Sequence, residues 1–343
     1  MIKVAMFDTK PYDEESFEKI RPGNMEITYY PVILNKDSVM LAAGKDAVCT
    51  FVNDTADKEV VDKLSELNVK LIALRCAGFD RVDVKACYNR IKVVRVPAYS
   101  PEAVAEHAMA LLMTSVRRIH KAYNRTRDFN FSLNDLVGFN LYEKTVGVIG
   151  TGKIGRAFIN ICNGFGMNVL AYDKFPADNI NVEYVEMDEL LEKSDIISLH
   201  CPLTDENRHL INRDSIEKMK KGVVILNTSR GGLINASDLL EGLKSRKVGA
   251  ACIDVYEEEA NLFFNDRSGH ILDDDIMARL LSMPNVIVTS HQAFLTKEAL
   301  QNIAETTISN IETYFNSGET PNEVCYQCEN FSECSKTGKR RCK

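Results

Sequence analysis

The hexapeptide Gly150-Thr151-Gly152-Lys153-Ile154-Gly155 constrains the fold more than any other feature of the chain. A G-x-G-x-x-G pattern alone is weak. Here a Val- and Ile-rich run, Thr145–Ile149, precedes it as a strand, and a helical pattern, Lys153–Cys162, follows. In that setting the glycines permit a tight turn, close backbone approach to a pyrophosphate, and helix-on-sheet packing. The helix N-terminus then favours phosphate. Asp173 ends the next strand, where a carboxylate would hydrogen-bond a ribose 2′-hydroxyl and repel a 2′-phosphate. NAD(H) is therefore favoured over NADP(H). Lys174 beside it reads as a solvated lysine.

The rest of the chain repeats the same alternation. Strand candidates in the first third are Lys3–Phe7, Ile27–Tyr30, Ala47–Phe51, Leu71–Leu74 and Lys92–Arg95, with amphipathic stretches such as Asp57–Leu67 between them. A long helical stretch, about 101–127, reads as a domain connector, with Ser100 as N-cap and Pro101 at the first helical position. The pattern then restarts with Thr145–Ile149, Asn168–Tyr172, Asp195–Leu199, Val223–Asn227, Gly249–Asp254 and Val286–Thr289. Residues 255–284 read as a long connection, and a last amphipathic helix spans about 296–316. Strands alternating with helices imply parallel sheets covered on both faces. With 343 residues, two domains are expected.

Charge and composition narrow the function. A net charge of −7 argues against a nucleic-acid surface or an anionic membrane as partner. No apolar run is long enough to span a bilayer. The N-terminus meets Asp8 too soon for a signal peptide, so a reducing cytoplasm is expected, with the ten cysteines as thiols or metal ligands. Cys49, Cys76, Cys87, Cys162, Cys201 and Cys252 lie in apolar context and read as buried thiols.

Three strand ends carry polar groups. Asn227-Thr228-Ser229-Arg230-Gly231-Gly232 closes one strand, Asp254-Val255-Tyr256-Glu257-Glu258-Glu259 the next, and Ser290-His291-Gln292 the last. Ligands of open α/β sheets sit outside the carboxyl ends of strands. Arginine can hold a carboxylate bidentately, histidine can exchange a proton near neutral pH, and a carboxylate can orient it. His107 and His120 read as packing or surface residues of the connector, and His200 as a loop residue beside the cofactor. No H-e-x-x-h metal signature and no G-x-S-x-G elbow occurs, so no metal is expected in the body of the chain.

These segments, with Leu71–Asp80, Val94–His107, Leu199–Thr204 and His291–Thr296, resemble the D-2-hydroxyacid dehydrogenase family over about residues 1–324, and most closely its bacterial fermentative D-lactate-forming branch. The resemblance implies an α/β chain of two doubly wound parallel-sheet domains. A flavodoxin-like substrate domain (1–99 and 295–324) and a Rossmann NAD domain (100–294) would face each other across a cleft. It implies Arg230, Glu259 and His291 as catalytic residues. Gly150, Gly152, Lys153, Ile154, Gly155, Asp173, His200, Cys201, Pro202, Asn207, Thr228, Ser229, Arg230 and Asp254 would bind NAD. Cys76, Ala77, Gly78, Tyr99, Arg230 and Phe294 would bind a small 2-keto or 2-hydroxy acid, pyruvate or D-lactate. A cytoplasmic homotetramer, paired through its cofactor domains, is the implied assembly.

The C-terminal stretch 325–343 departs from that family. Cys325, Cys328, Cys334 and Cys342 are spaced C-x2-C-x5-C-x7-C among five basic and two acidic residues. Three readings stand: a solvated reduced tail, a tetrahedral thiolate site for zinc, and a redox-active appendage. In each, the tail is dispensable for hydride transfer, because every candidate catalytic group precedes it.

Overall fold

The computed structural model describes residues 1–177, 180, 182–259, 262–320 and 322–326. In chain order the elements are β1 (Ile2–Met6), α1 (Pro11–Glu18), β2 (Met25–Tyr29), β3 (Ala47–Thr50), α2 (Lys58–Glu66), β4 (Leu71–Leu74), α3 (Val84–Cys87), β5 (Lys92–Arg95), α4 (Pro101–Val116) and α5 (Ile119–Arg127). There follow β6 (Thr145–Ile149), α6 (Lys153–Gly164), β7 (Asn168–Tyr172), β8 (Glu183–Tyr184), α7 (Met187–Lys193), β9 (Ile196–Leu199), α8 (Arg213–Lys218) and β10 (Val223–Asn227). Last come α9 (Ala236–Lys244), β11 (Val248–Ile253), α10 (Asp275–Ser282), β12 (Val286–Val288) and α11 (Lys297–Ser317). The chain divides into two compact units, one of Met1–Ser100 with the chain from Leu295 on, the other of Pro101–Phe294.

The first unit is a five-stranded parallel sheet in the order β2-β1-β3-β4-β5. Strands β3 and β4 are buried at every residue, as expected where helices cover both faces. Asp57 caps α2 by accepting from the Val60 amide, and Thr296 caps α11 through the Ala299 amide. Helix α11 packs on β4 and α1 through Ile303, Ala304, Ile308 and Ile311. The free edge of β5 is covered by the chain after α11: Arg95 donates its amide to Asn322 O at 3.1 Å, and the Val324 amide donates to Val93 O at 2.8 Å.

The second unit is a seven-stranded parallel sheet in the order β12-β11-β10-β9-β6-β7-β8. Counted from β6 this is 3-2-1-4-5-6-7, the doubly wound nucleotide-binding order. One face buries Ile149, Leu199, Ile225 and Ile253 under α7 to α10; the other buries Val146, Val148, Leu226 and Cys252 under α4 and α6. The order reverses between β7 and β9 around β6, which places a ligand crevice at the carboxyl end of β6.

Two expectations change. The connector is two helices, not one: α4 stops at Val116, and Arg118 takes a left-handed φ of 55°. Gly138 lies so close there that a Cβ on it would sit 2.0 Å from Val116 O, so the returning chain occupies the space of a continued helical turn. The 255–284 connection also contains α10, capped by Asp274 through the Met277 amide.

Candidate active site

The glycine turn is built at the predicted place. Gly150 has φ +98°, and a Cβ there would lie 2.6 Å from His200 O, so the turn after β6 and the exit of β9 meet backbone to backbone. A Cβ on Gly155 would lie 2.0 Å from Gly150 O, which fixes α6 against the turn. At Gly152, the N-cap of α6, the space a Cβ would fill is open. That opening, in front of the first helical amides, fits a pyrophosphate. Lys153 is exposed and Ile154 half-buried in the first turn.

Asp173 follows β7 and is tied to the same turn. Its Oδ2 accepts from the Thr151 amide at 2.6 Å and the Thr151 hydroxyl at 2.9 Å, and its Oδ1 accepts from the Phe175 amide at 2.8 Å. Lys174 pairs with Glu206, and both side chains are exposed. A carboxylate fixed beside the glycine turn fits NAD's adenosine ribose.

The β9 and β10 exits are bound together. Ser229 Oγ donates to Cys201 O at 2.6 Å, and Asn207 Nδ2 donates to Pro202 O at 2.7 Å. His200 places Nε2 2.8 Å from Ser198 Oγ, and its ring lies 4.9 Å from that of Phe158. Burial drives its pKa down to about 3, so it is neutral and unsuited to proton delivery. Thr228 is buried. Asn227 orders the loop that follows, accepting from the Ser229 amide and donating to Arg230 O.

Arg230, Glu259 and His291 stand just beyond β10, β11 and β12, which are neighbours in the sheet. Gly231 brings the first two loops together: a Cβ on it would lie 2.0 Å from the Tyr256 carbonyl carbon. His291 Nδ1 and Glu259 Oε1 are 2.8 Å apart, and Glu259 Oε2 accepts from the Tyr256 amide at 2.9 Å. The imidazole is therefore oriented by a carboxylate that is itself fixed, leaving Nε2 as the outward nitrogen. His291 sits at φ +52°, held by its amide's 2.7 Å bond to Asp254 O.

Asp254 braces this segment. It is fully buried; Oδ1 accepts from Thr289 Oγ1 and the Gln292 amide, and Oδ2 from the Ala293 amide. Burial alone would raise its pKa, but the hydrogen bonds from His107, Thr289, Gln292 and Ala293 outweigh that and hold it below the ordinary carboxylate value. His107 Nε2 lies 3.1 Å from Thr289 Oγ1 and 3.4 Å from Asp254 Oδ1. Sequence reasoning read His107 as a packing or surface residue. Its signal is a polar residue on the buried Ala103–Val104–Ala108–Leu111 face of α4.

In the first unit, Cys76, Ala77 and Gly78 follow β4. Their carbonyls are taken: Cys76 O by the Val96 amide, Ala77 O by Arg95 Nη1, and Gly78 O by Cys76 Sγ. Among the described residues, the Ala77 and Gly78 amides have no such partner, which leaves an edge of donors suited to an anion. Tyr99 is half-buried and accepts on its carbonyl from Asn302. Phe294 is buried at the end of the second unit. The six body cysteines are free thiols; five are buried and Cys201 half-buried. Cys325 is described as a free thiol, whereas Cys328, Cys334 and Cys342 lie outside the described residues.

Strand order, glycine turn and the acid after β7 define the second unit as the NAD-binding domain of a dehydrogenase. The family model for "D-isomer specific 2-hydroxyacid dehydrogenase, NAD binding domain" matches residues 109–293. A 2-hydroxyacid dehydrogenase homolog of Haemophilus influenzae is 54% identical over 315 residues, covering 90% of this chain and 95% of that one. The D-lactate dehydrogenase of Escherichia coli is 50% identical over 329 residues, covering 94% and 100%. The apo structure of that enzyme superposes with a TM-score of 0.85 over 94% of this chain and 100% of its own. The D-lactate dehydrogenase of Aquifex aeolicus, solved with NAD and lactic acid, gives 0.79 at 31% identity, covering 91% and 95%. The chain belongs to the D-isomer specific 2-hydroxyacid dehydrogenases and is an NAD-dependent oxidoreductase. No helix of the described residues is long and apolar enough to cross a membrane.

Proposed function

We propose that the chain reversibly reduces pyruvate to D-lactate, with His291 as general acid and base. The observation that carries this is the 2.8 Å Glu259–His291 pair, fixed on the strand next to the Arg230 loop. Bound NADH supplies the hydride to the keto carbon. Arg230 clamps the carboxylate and polarises the carbonyl, which a planar guanidinium does with two parallel donors. His291 Nε2 gives its proton to the developing alkoxide, while Glu259 fixes the ring's orientation from Nδ1. The family resemblance implies that the Ala77 and Gly78 amides would also receive a substrate carboxylate. Gly150, Gly152, Lys153, Ile154, Gly155, Asp173, His200, Cys201, Pro202, Asn207, Thr228, Ser229 and Asp254 would form the cofactor's surroundings, and Cys76, Tyr99 and Phe294 would help bind the substrate.

The choice of pyruvate rests on the likeness to D-lactate dehydrogenases; a fermentative role and a cytoplasmic homotetramer rest on the family resemblance of the sequence alone. Steady-state NADH oxidation with pyruvate, 2-ketobutyrate, phenylpyruvate and hydroxypyruvate tests the reading. The highest kcat/KM is expected for pyruvate, with D-lactate as product. A preference for phenylpyruvate or hydroxypyruvate would move the substrate class, and L-lactate as product would refute the stereochemical assignment.

A further inference from the structure

A second polar cluster lies at the strand exits of the first unit. Arg75 follows β4 and immediately precedes the Cys76–Gly78 loop. It is 1% exposed, so it cannot itself contact a substrate. Its Nη1 donates to Phe7 O at 2.9 Å and its Nη2 to Asp8 O at 2.7 Å, both just beyond β1. Asp13, in the first turn of α1, lies 3.5 Å from both Nε and Nη2, and the guanidinium sits 4.7 Å from the Phe51 ring centroid. The Arg75 amide donates to Thr50 O at 3.0 Å. One side chain thus ties the exits of β1, β3 and β4 and the start of α1.

Asp54 ties the exit of β3 to the Leu34 segment. It is 2% exposed; Oδ1 accepts from the Leu34 amide at 2.5 Å and Oδ2 from the Phe51 amide at 2.6 Å. Asp8 joins by its 2.9 Å contact to Lys10 and is held at φ +47°. The cluster thus holds two cations, Arg75 paired with Asp13 and Lys10 paired with Asp8, and a third acid, Asp54, bonded to backbone amides. Taking such a set out of water costs more than well-packed apolar side chains would, so stability alone does not account for it. What it does supply is a single backbone geometry where three strands end, immediately before a loop whose Cys76, Ala77 and Gly78 carbonyls are occupied and whose Ala77 and Gly78 amides have no partner among the described residues.

We propose that Arg75 and Asp54 are positioning residues for the substrate: they lock the exits of β1, β3 and β4 so that the Ala77 and Gly78 amides present one fixed donor edge to the substrate carboxylate. This rests on the reading of that loop as a carboxylate receptor. Displacing a positioned group by about 1 Å costs roughly 10²-fold in rate. The lock should therefore be visible in substrate affinity and not in cofactor affinity.

The test uses the full chain with Arg75→Met, Arg75→Lys and Asp54→Asn. KM for pyruvate, the inhibition constant of oxamate (a carboxylate analogue that is not reduced), NADH binding by its own fluorescence, and thermal unfolding are measured on each. Arg75→Met is expected to raise the KM and the oxamate constant by about tenfold or more, in parallel, at unchanged NADH affinity. Arg75→Lys, which keeps a donor for one of the two carbonyls, should recover part of the loss, and Asp54→Asn should show a smaller rise. Should Arg75→Met not fold, Arg75→Lys and Asp54→Asn carry the same comparison. Variants that unfold at lower temperature but keep both constants would overturn the proposal and leave a structural role only. A wild-type enzyme that turns over no 2-keto acid would overturn the proposed function, and with it this inference, whereas an active enzyme with unchanged variants overturns this inference alone.

Discussion

His291 has a conformation that costs energy, and what holds it there is specific. A left-handed non-glycine backbone is disfavoured by roughly 1–2 kcal/mol. The Asp254 brace holds it through four partners in the 289–293 segment. A histidine placed in this way is expected to act on protons. His291→Asn should lower kcat by about 10²–10⁴-fold while NADH still binds, because general acid catalysis is worth that range. Near-normal turnover in the variant would remove His291 from the role. Asp54 makes a prediction of the opposite kind. Burial outweighs the Arg75 charge and the two amide donors, and pushes its carboxyl from 3.8 up to about 7. The folded chain therefore binds this proton more tightly than the unfolded one, so the group's contribution to stability falls as pH rises from about 4 to about 7. Urea unfolding at pH 5 and pH 8 should show Asp54→Asn gaining stability relative to wild type at the higher pH; a difference independent of pH would mean Asp54 is ionised throughout. At this scale the sequence is legible for Arg230 and His291 as polar strand-end groups, and for Glu259 only through the family resemblance, which chose it from the Glu257–Glu259 cluster. It is not legible for Asp54, Arg75 and His107, whose meaning depends on partners far away in the chain. A cation closing the wholly apolar Leu71–Leu74 run was the available signal for Arg75.

Loops and turns in the second unit are set by glycines with different jobs, and these separate stability from binding. Gly231 lets the loop after β10 press on the backbone after β11, where a Cβ would come within 2.0 Å of Tyr256. Gly231→Ala must push the two loops apart, with a loss of about 1–3 kcal/mol in stability and of Arg230–Glu259 alignment. Gly152 meets nothing within 4 Å. Gly152→Ala is expected to leave the unfolding temperature within a degree or two, since a Cβ has no clash there, yet to weaken NADH binding, because the pyrophosphate needs that space. Melting curves and NADH titrations on the two variants check this; a destabilised Gly152→Ala with unchanged NADH binding would reverse the assignment. Strands and the glycine turn were legible because period and punctuation are local: β6, β7 and β10 have the predicted bounds. The break between α4 and α5 was not, because it depends on Gly138 returning to Val116. Nor was β8, two residues long and paired only with β7.

One feature of the whole molecule belongs to neither sheet. Helix α5 buries none of its residues, and the chain after it exposes Phe129, Phe131, Leu133 and Val137, each at least 70% accessible, with Tyr123 and Tyr142 also exposed. Scattered apolar surface residues need no explanation, but a run of large ones along one segment marks an interaction site. The segment belongs to the NAD-binding unit, and that unit is where a pairing of copies was expected from the family resemblance. A second copy of this chain is the occupant we predict, since a closed two-fold contact lets the same apolar segment cover its own counterpart. Light scattering at micromolar concentration should give a mass of two or four times 38.5 kDa. Phe131→Glu with Val137→Glu should shift it toward the monomer, since two charges would be buried without partners at the contact. These positions hold no catalytic group, so the dissociated variant shows whether assembly is needed for turnover. A wild-type monomer at that concentration would refute the assembly and leave the exposed segment to another partner.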